Sequence, residues 1–153
     1  MTGRPDRVAL GASAPIGLCF DRHARLVPES GVLDGGHLVL VLPETAPQGH
    51  VDALEARGVS VFFDRGDRRD VLARVAGAFG VETLLLEGGG ALNGAFLTEG
   101  LIDETSTLML PLVDGRHGMP AIYDAPETAV RRADLLSVDT PGDSSVWLRH
   151  VLT

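Results

Sequence analysis

The stretch LLLEGGGALNG, residues 84–94, places one carboxylate, Glu87, directly before three consecutive glycines. In a regular element, glycine lowers stability by roughly 0.5–1 kcal/mol relative to alanine. Three glycines in a row therefore indicate either a close approach to the backbone or torsions that other residues cannot adopt. If these glycines lead into a helix, its free N–H groups and positive dipole end could hold an anion such as a phosphate. A tight turn with positive φ torsions and no ligand would account for the same residues, and both explanations stay open.

Two common nucleotide-binding motifs fit this stretch poorly. A Rossmann fingerprint has the spacing G-x-G-x-x-G in the first βα unit. Here the spacing is Gly88-x-Gly90-x-x-x-Gly94, and it follows two predicted βα units. A P-loop requires a lysine, and this chain contains none. The absence of lysine also excludes Schiff-base chemistry.

Composition excludes several further classes of function. The net charge of −8 would repel a nucleic-acid backbone, and no apolar run reaches the ~20 residues of a membrane helix. The single cysteine, Cys19, and the lack of a signal-peptide pattern favour a reducing, cytoplasmic location. No metal site is expected, because the histidines lack metal-ligand spacing; they are His23, His37, His50, His117 and His150.

The elements that would position the glycine stretch follow from hydrophobic periodicity and from helix caps. The pattern predicts a helix that Asp67 caps and Gly80 ends, and a short helix over 91–99. Another short helix is predicted over 50–58. The predicted strands are 16–20, 37–43, 59–63, 81–87 and 105–113, followed by an antiparallel hairpin of 129–138 and 145–152.

This order of elements predicts an α/β fold. The middle alternates strands and helices, which implies parallel neighbours with right-handed crossovers, whereas the end is antiparallel. We therefore expect a mixed sheet, mostly parallel, with a C-terminal antiparallel hairpin and helices on both faces. The length suits one domain, residues 1–153.

Two longer stretches resemble the RibD-type reductase family, the C-terminal domain of the bifunctional riboflavin-biosynthesis deaminase/reductase. They are EGGGALNGAFLTEGLIDE (87–104) and LPLVDGRHG (110–118). The earlier segments CFDRHARL (19–26) and HLVLVLPE (37–44) fit the same family, so that the resemblance covers residues ~16 to 125. It implies a dihydrofolate-reductase-like fold.

The resemblance also implies an activity, which is NADPH-dependent reduction of a small heterocyclic or ribosylaminopyrimidine-type substrate. Glu87 would face the substrate and act as the catalytic residue. The cofactor would contact Gly88, Gly89, Gly90, Ala91, Leu92 and Asn93. Asn93 could instead only satisfy the first helical turn. Four arginines are open as partners of a 2′-phosphate: Arg22, Arg25, Arg65 and Arg116.

Relative to that family, the chain is expected to be amino-terminally truncated. The family's domain opens with ~70 further residues, including a first strand that lies inside the sheet, and without it strand edges would be left unpaired. We therefore expect a homodimer, since exposed edges favour association. The alternative is a non-catalytic remnant that dimerises through its sheet and at most binds nucleotide weakly.

Overall fold

The computed structural model describes residues 3–9, 11, 13, 15–125 and 130–153. The chain forms two compact units, residues 1–84 and 85–153. The assignment of 1–153 to one domain that lacks its first ~70 residues stays a prediction. In the described part of the chain, no helix combines the length and the apolar character needed to cross a membrane.

The described residues of the first unit form four strands and two helices. They are β1 (Ile16–Phe20), β2 (Val32–Leu33), β3 (Gly36–Pro43), α1 (Gln48–Glu55), β4 (Ser60–Asp64) and α2 (Arg68–Phe79). The three strands predicted in this part of the chain are confirmed within one residue at each end. The helix caps are also confirmed, since the Asp67 side chain accepts hydrogen bonds from the N–H groups of Arg69 and Asp70 and Gly80 is left-handed.

Strand β3 forms the centre of the first unit. It pairs in parallel with β1 and β4, and in antiparallel fashion with the two-residue β2. Its side chains alternate between two cores, as a strand buried on both faces requires. Leu40 packs in the same cluster as Leu54 of α1, whereas Val41 packs in the same cluster as Val75 of α2. The helices α1 and α2 therefore cover opposite faces of this sheet, as predicted.

In the second unit, residues 85–125 and 130–153 form one helix and a three-stranded sheet. They are α3 (Gly90–Thr98), β5 (Glu104–Met109), β6 (Ala133–Asp139) and β7 (Val146–Leu152). The sheet has the order β5-β7-β6 and both of its pairings are antiparallel. The predicted C-terminal hairpin is confirmed as β6 and β7, but its first strand begins at Ala133: residues 130–132 are irregular, and 129 lies outside the described residues.

The prediction of a mostly parallel sheet is not confirmed. Among the described strands, two pairings are parallel and three are antiparallel, and they are divided between two separate sheets. Both parallel pairs involve β3: helix α1 connects β3 to β4, whereas β1 is connected to β3 through a loop and the short β2. In the described part of the second unit, no helix lies between β5, β6 and β7, and their pairings are antiparallel.

The strand predicted over 81–87 is wrong. Residues 81–89 have no regular structure, and the backbone N–H groups of 82–88 donate no hydrogen bond to another described residue. Leu84 and Leu85 are 42% and 76% exposed. The residues have a high strand propensity, but a strand is stable only when a neighbour pairs with its N–H and C=O groups. No described segment does so here.

The loop that follows β1 is fixed by a buried carboxylate. Asp21 is only 7% exposed, and its side chain accepts hydrogen bonds from the N–H groups of His23, Arg25 and Leu26. Burial by itself would raise the pKa of Asp21. The three backbone donors and the nearby His50 outweigh burial, so that the pKa lies below its ordinary value of 3.8.

We expect Asp21→Asn to reduce the acid sensitivity of folding. A carboxyl whose pKa is lowered on folding stabilises the protein above its unfolded pKa of 3.8, and this contribution is lost as the pH falls through the lower folded value. The wild-type protein should therefore lose more unfolding free energy than the variant between about pH 5 and pH 2. Urea unfolding across this range tests it, with the exposed Asp34→Asn as the control. If the unfolding free energies of wild type and Asp21→Asn changed equally with pH, the stabilising role of the ionised Asp21 would be contradicted.

Candidate functional site

The candidate site lies in the second unit, where the glycine stretch leads into α3. Gly89 is the N-cap residue, and no side chain caps the helix. The first turn contains no acidic residue. The N–H groups of Gly88, Gly89, Gly90 and Ala91 donate no hydrogen bond to another described residue. Free N–H groups and the positive end of the helix dipole therefore coincide at this turn.

The structure explains why the turn contains three glycines. None of them has a positive φ, so a tight left-handed turn is not the reason. A Cβ at Gly88 would lie 2.6 Å from the Leu92 side chain, and one at Gly90 would clash with the carbonyl oxygen of Ala121. A Cβ at Gly89 would meet no atom of the described residues within 4 Å. The backbone contact therefore requires Gly90 to lack a side chain, a side chain at Gly88 would require Leu92 to move, and Gly89 leaves an open approach to the backbone.

A segment that the sequence did not point to, residues 121–125, packs against the first turns of α3. The N–H group of Asp124 donates to the carbonyl of Gly90 at 2.9 Å. A Cβ at Gly94 would lie 2.5 Å from the Asp124 backbone. This 121–125 segment fits against the helix because the facing helical positions are glycines. Only the spacing Gly90-x-x-x-Gly94 could have indicated such a contact from the sequence.

Asn93 has a role within the chain. Its Nδ2 donates to the carbonyl oxygen of Ile122 at 3.0 Å, which ties the helix to the 121–125 segment. Its Oδ1 is buried and has no hydrogen-bond partner among the described residues. The side-chain amide of Asn93 thus uses its Nδ2 group for a hydrogen bond within the protein. Of the neighbouring predicted contacts, Ala91 is exposed and Leu92 is half-buried.

Glu87 is exposed at the start of the turn. Its carboxylate makes no hydrogen bond or ion pair with any residue that the structure describes. An unpaired carboxylate is an acceptor for two or more donors, such as N–H or O–H groups of a polar heterocycle. Glu87 and the free amides of Gly88–Ala91 are adjacent in the chain, so an acceptor and several donors lie on one short segment.

The four arginines considered as partners of a 2′-phosphate differ in the contacts that their side chains make within the protein. Nε of Arg116 donates to Asp114 at 2.9 Å, and this contact lowers the pKa of the Asp114 carboxyl. Arg65 donates to the carbonyl of Arg4 at 2.9 Å. Arg22 and Arg25 make no side-chain hydrogen bond or ion pair with the described residues. Arg116 belongs to the second unit and the others to the first.

The residues of the turn fit an anionic cofactor better than a metal. Among the described residues, no three His, Cys, Asp or Glu side chains are placed to share a metal ion. The turn offers backbone donors and an open approach at Gly89. These features match the diphosphate of a dinucleotide, which needs N–H donors and space next to the backbone.

The known proteins that are similar to this chain have related names, as follows. Over 113 residues the chain is 34% identical to the 2,5-diamino-6-ribosylamino-4(3H)-pyrimidinone 5′-phosphate reductase of Methanothermobacter thermautotrophicus, covering 72% of this chain and 52% of the relative. RibD of Acinetobacter baumannii is 25% identical, with a TM-score of 0.69 over 89% of this chain and 37% of that one.

A third relative shares the fold alone. A pyrimidine reductase-like protein from Corynebacterium diphtheriae is 12% identical, with a TM-score of 0.69 over 89% of this chain and 60% of that one. The chain thus spans about half the length of the Methanothermobacter reductase. The RibD C-terminal domain family matches residues 2–144. This match covers nearly the whole sequence, and the chain therefore belongs to the RibD C-terminal domain family.

Proposed function

We propose that this chain is an NADPH-dependent reductase of riboflavin biosynthesis that acts on a ribosylaminopyrimidine-type substrate. The observation that carries the proposal is the glycine turn, in which free backbone N–H groups follow directly after an unpaired carboxylate. Family membership supports the reaction type, and the name of the Methanothermobacter relative supports the substrate class.

The chain's own residues would bind and orient the reactants. The N–H groups of Gly88–Ala91 would donate to the cofactor's diphosphate, and the open approach at Gly89 would let it reach them. Glu87 would accept hydrogen bonds from an N–H or O–H group of the substrate and fix its orientation. When bound, the nicotinamide cofactor supplies the hydride, so that the protein needs no nucleophile of its own.

A second candidate is a non-catalytic chain that self-associates and at most binds nucleotide weakly. The observation in its favour is that the apolar segment 81–87 pairs with no described strand and is partly exposed. The second unit also exposes apolar residues of its sheet, including Met109, Leu135 and Val138. Apolar surface of this kind favours association, so we propose a homodimer under either function.

The test is a titration of the purified chain with NADPH, followed by cofactor fluorescence. Absorbance of the reduced cofactor is then recorded after addition of 2,5-diamino-6-ribosylamino-4(3H)-pyrimidinone 5′-phosphate. Saturable binding with cofactor oxidation supports the reductase, whereas binding without oxidation supports the second candidate. Absence of binding contradicts the reductase. Light scattering during size-exclusion chromatography measures the proposed dimer independently.

A further inference from the structure

The 121–125 segment brings a negative charge to the glycine turn. A Cβ built on Gly90 would lie 3.2 Å from the Cβ of Asp124, and the two backbones are joined by the hydrogen bond at 2.9 Å. The carboxylate is attached directly to that Cβ and is therefore held close to the first turn of α3. Asp124 is exposed and makes no ion pair with the described residues.

This position has an electrostatic consequence. The N-terminal end of a helix carries a partial positive charge and attracts a nearby anion. In α3 no residue of the first turn supplies one, so the anions beside this helix end are Glu87, two residues before the N-cap, and Asp124, which the 121–125 segment brings to the first turn. A bound diphosphate would place a second anion at the same helix end, next to Asp124. The two anions carry like charges and would therefore repel each other. No cation of the described residues contacts Asp124 to offset this repulsion.

We propose that Asp124 is a specificity-determining residue that limits the affinity of the glycine turn for anions. Its carboxylate stabilises α3 while the turn is free and opposes a diphosphate when the turn is filled. The identity of the anion as NADPH rests on the proposed function, whereas the electrostatic role does not.

Asp124→Asn is expected to have two opposite effects. The amide keeps the shape of the side chain and the backbone hydrogen bond to Gly90, and it removes the charge. We expect affinity for the diphosphate group to rise about threefold, and the melting temperature to fall by about 2 °C as the helix loses its anion. A residue with only a packing role would not raise affinity when replaced. The gain in affinity should disappear at about 0.5 M salt, where charges are screened.

The experiment measures dissociation constants for NADPH and for inorganic pyrophosphate, together with melting temperatures, at low and high salt. Asp139→Asn serves as the control, because Asp139 is an exposed carboxylate on β6 and its replacement changes the net charge equally. Tighter pyrophosphate binding by Asp124→Asn alone, at low salt, supports the proposal. Equal or weaker binding than wild type overturns it, as does an equal gain in Asp139→Asn.

The two probes separate this inference from the proposed function. Tighter pyrophosphate binding without NADPH binding would support the role of Asp124 and contradict the proposed cofactor. NADPH binding that Asp124→Asn leaves unchanged would overturn only the role of Asp124. If the wild type and the variant bind neither probe, both are wrong.

Discussion

Replacing Glu87 by glutamine is expected to lower turnover roughly 10- to 100-fold while leaving NADPH affinity within about twofold of wild type. A hydrogen bond to a charged acceptor contributes about 1.5–3 kcal/mol, and this is the interaction that the substrate would lose. Glutamine has nearly the same shape and Glu87 is exposed, so the fold should not change. Steady-state rates and cofactor titration of the same preparations provide the measurement.

A matched control is available in the same stretch of chain. Glu82 is also exposed and lies five positions before Glu87, outside the glycine turn. Glu82→Gln changes the net charge by the same amount and should leave turnover unchanged. An equal loss of turnover and of cofactor affinity in Glu87→Gln would contradict a role toward the substrate, and unchanged turnover would contradict any catalytic role.

Gly89→Val is expected to abolish measurable NADPH binding, with a loss of affinity of about 100-fold or more. The side chain would fill the open space through which the cofactor's diphosphate reaches the free N–H groups, so that two or more charge-assisted hydrogen bonds are lost. Because no atom of the part of the chain that the structure describes lies within 4 Å of a Cβ at this position, the unfolding free energy should fall by only about 1 kcal/mol, the cost of a poor N-cap residue.

The neighbouring glycine should behave differently. In Gly90→Ala the new methyl group would collide with the Ala121 carbonyl, so we expect a loss of about 1–3 kcal/mol of unfolding free energy. Urea unfolding of both variants, combined with NADPH titration, distinguishes the two kinds of glycine. If Gly89→Val binds NADPH as tightly as wild type, the cofactor does not rest on this turn.

The local features of the first unit could be predicted because short-range interactions decide them. Asp67 and Gly80 bound α2 as expected, since a capping carboxylate and a left-handed glycine act within one turn of the helix. The continuous apolar run of β3 correctly indicated a strand buried on both faces. The family was also predictable, since its motifs are contiguous in the sequence.

The candidate site was predictable in its location and only partly in its geometry. Glu87 and the glycines are adjacent in the sequence, so their proximity needed no fold. The contact between Gly90 and Ala121 joins residues 31 positions apart in an irregular segment, and no periodic pattern marks it. For the same reason, the engagement of Asn93 with Ile122 could not be separated from a role toward the cofactor.

The sequence by itself determined the α/β character, most element boundaries, the family and the carboxylate–glycine stretch. Tertiary structure decided that 81–87 is not a strand, that the strands form two sheets, and that Gly89 is the open position of the three. The physical reason is the range of the interactions. Caps and helical periodicity act between near neighbours, whereas a strand needs a partner strand, and access to a backbone depends on which distant residues pack against it.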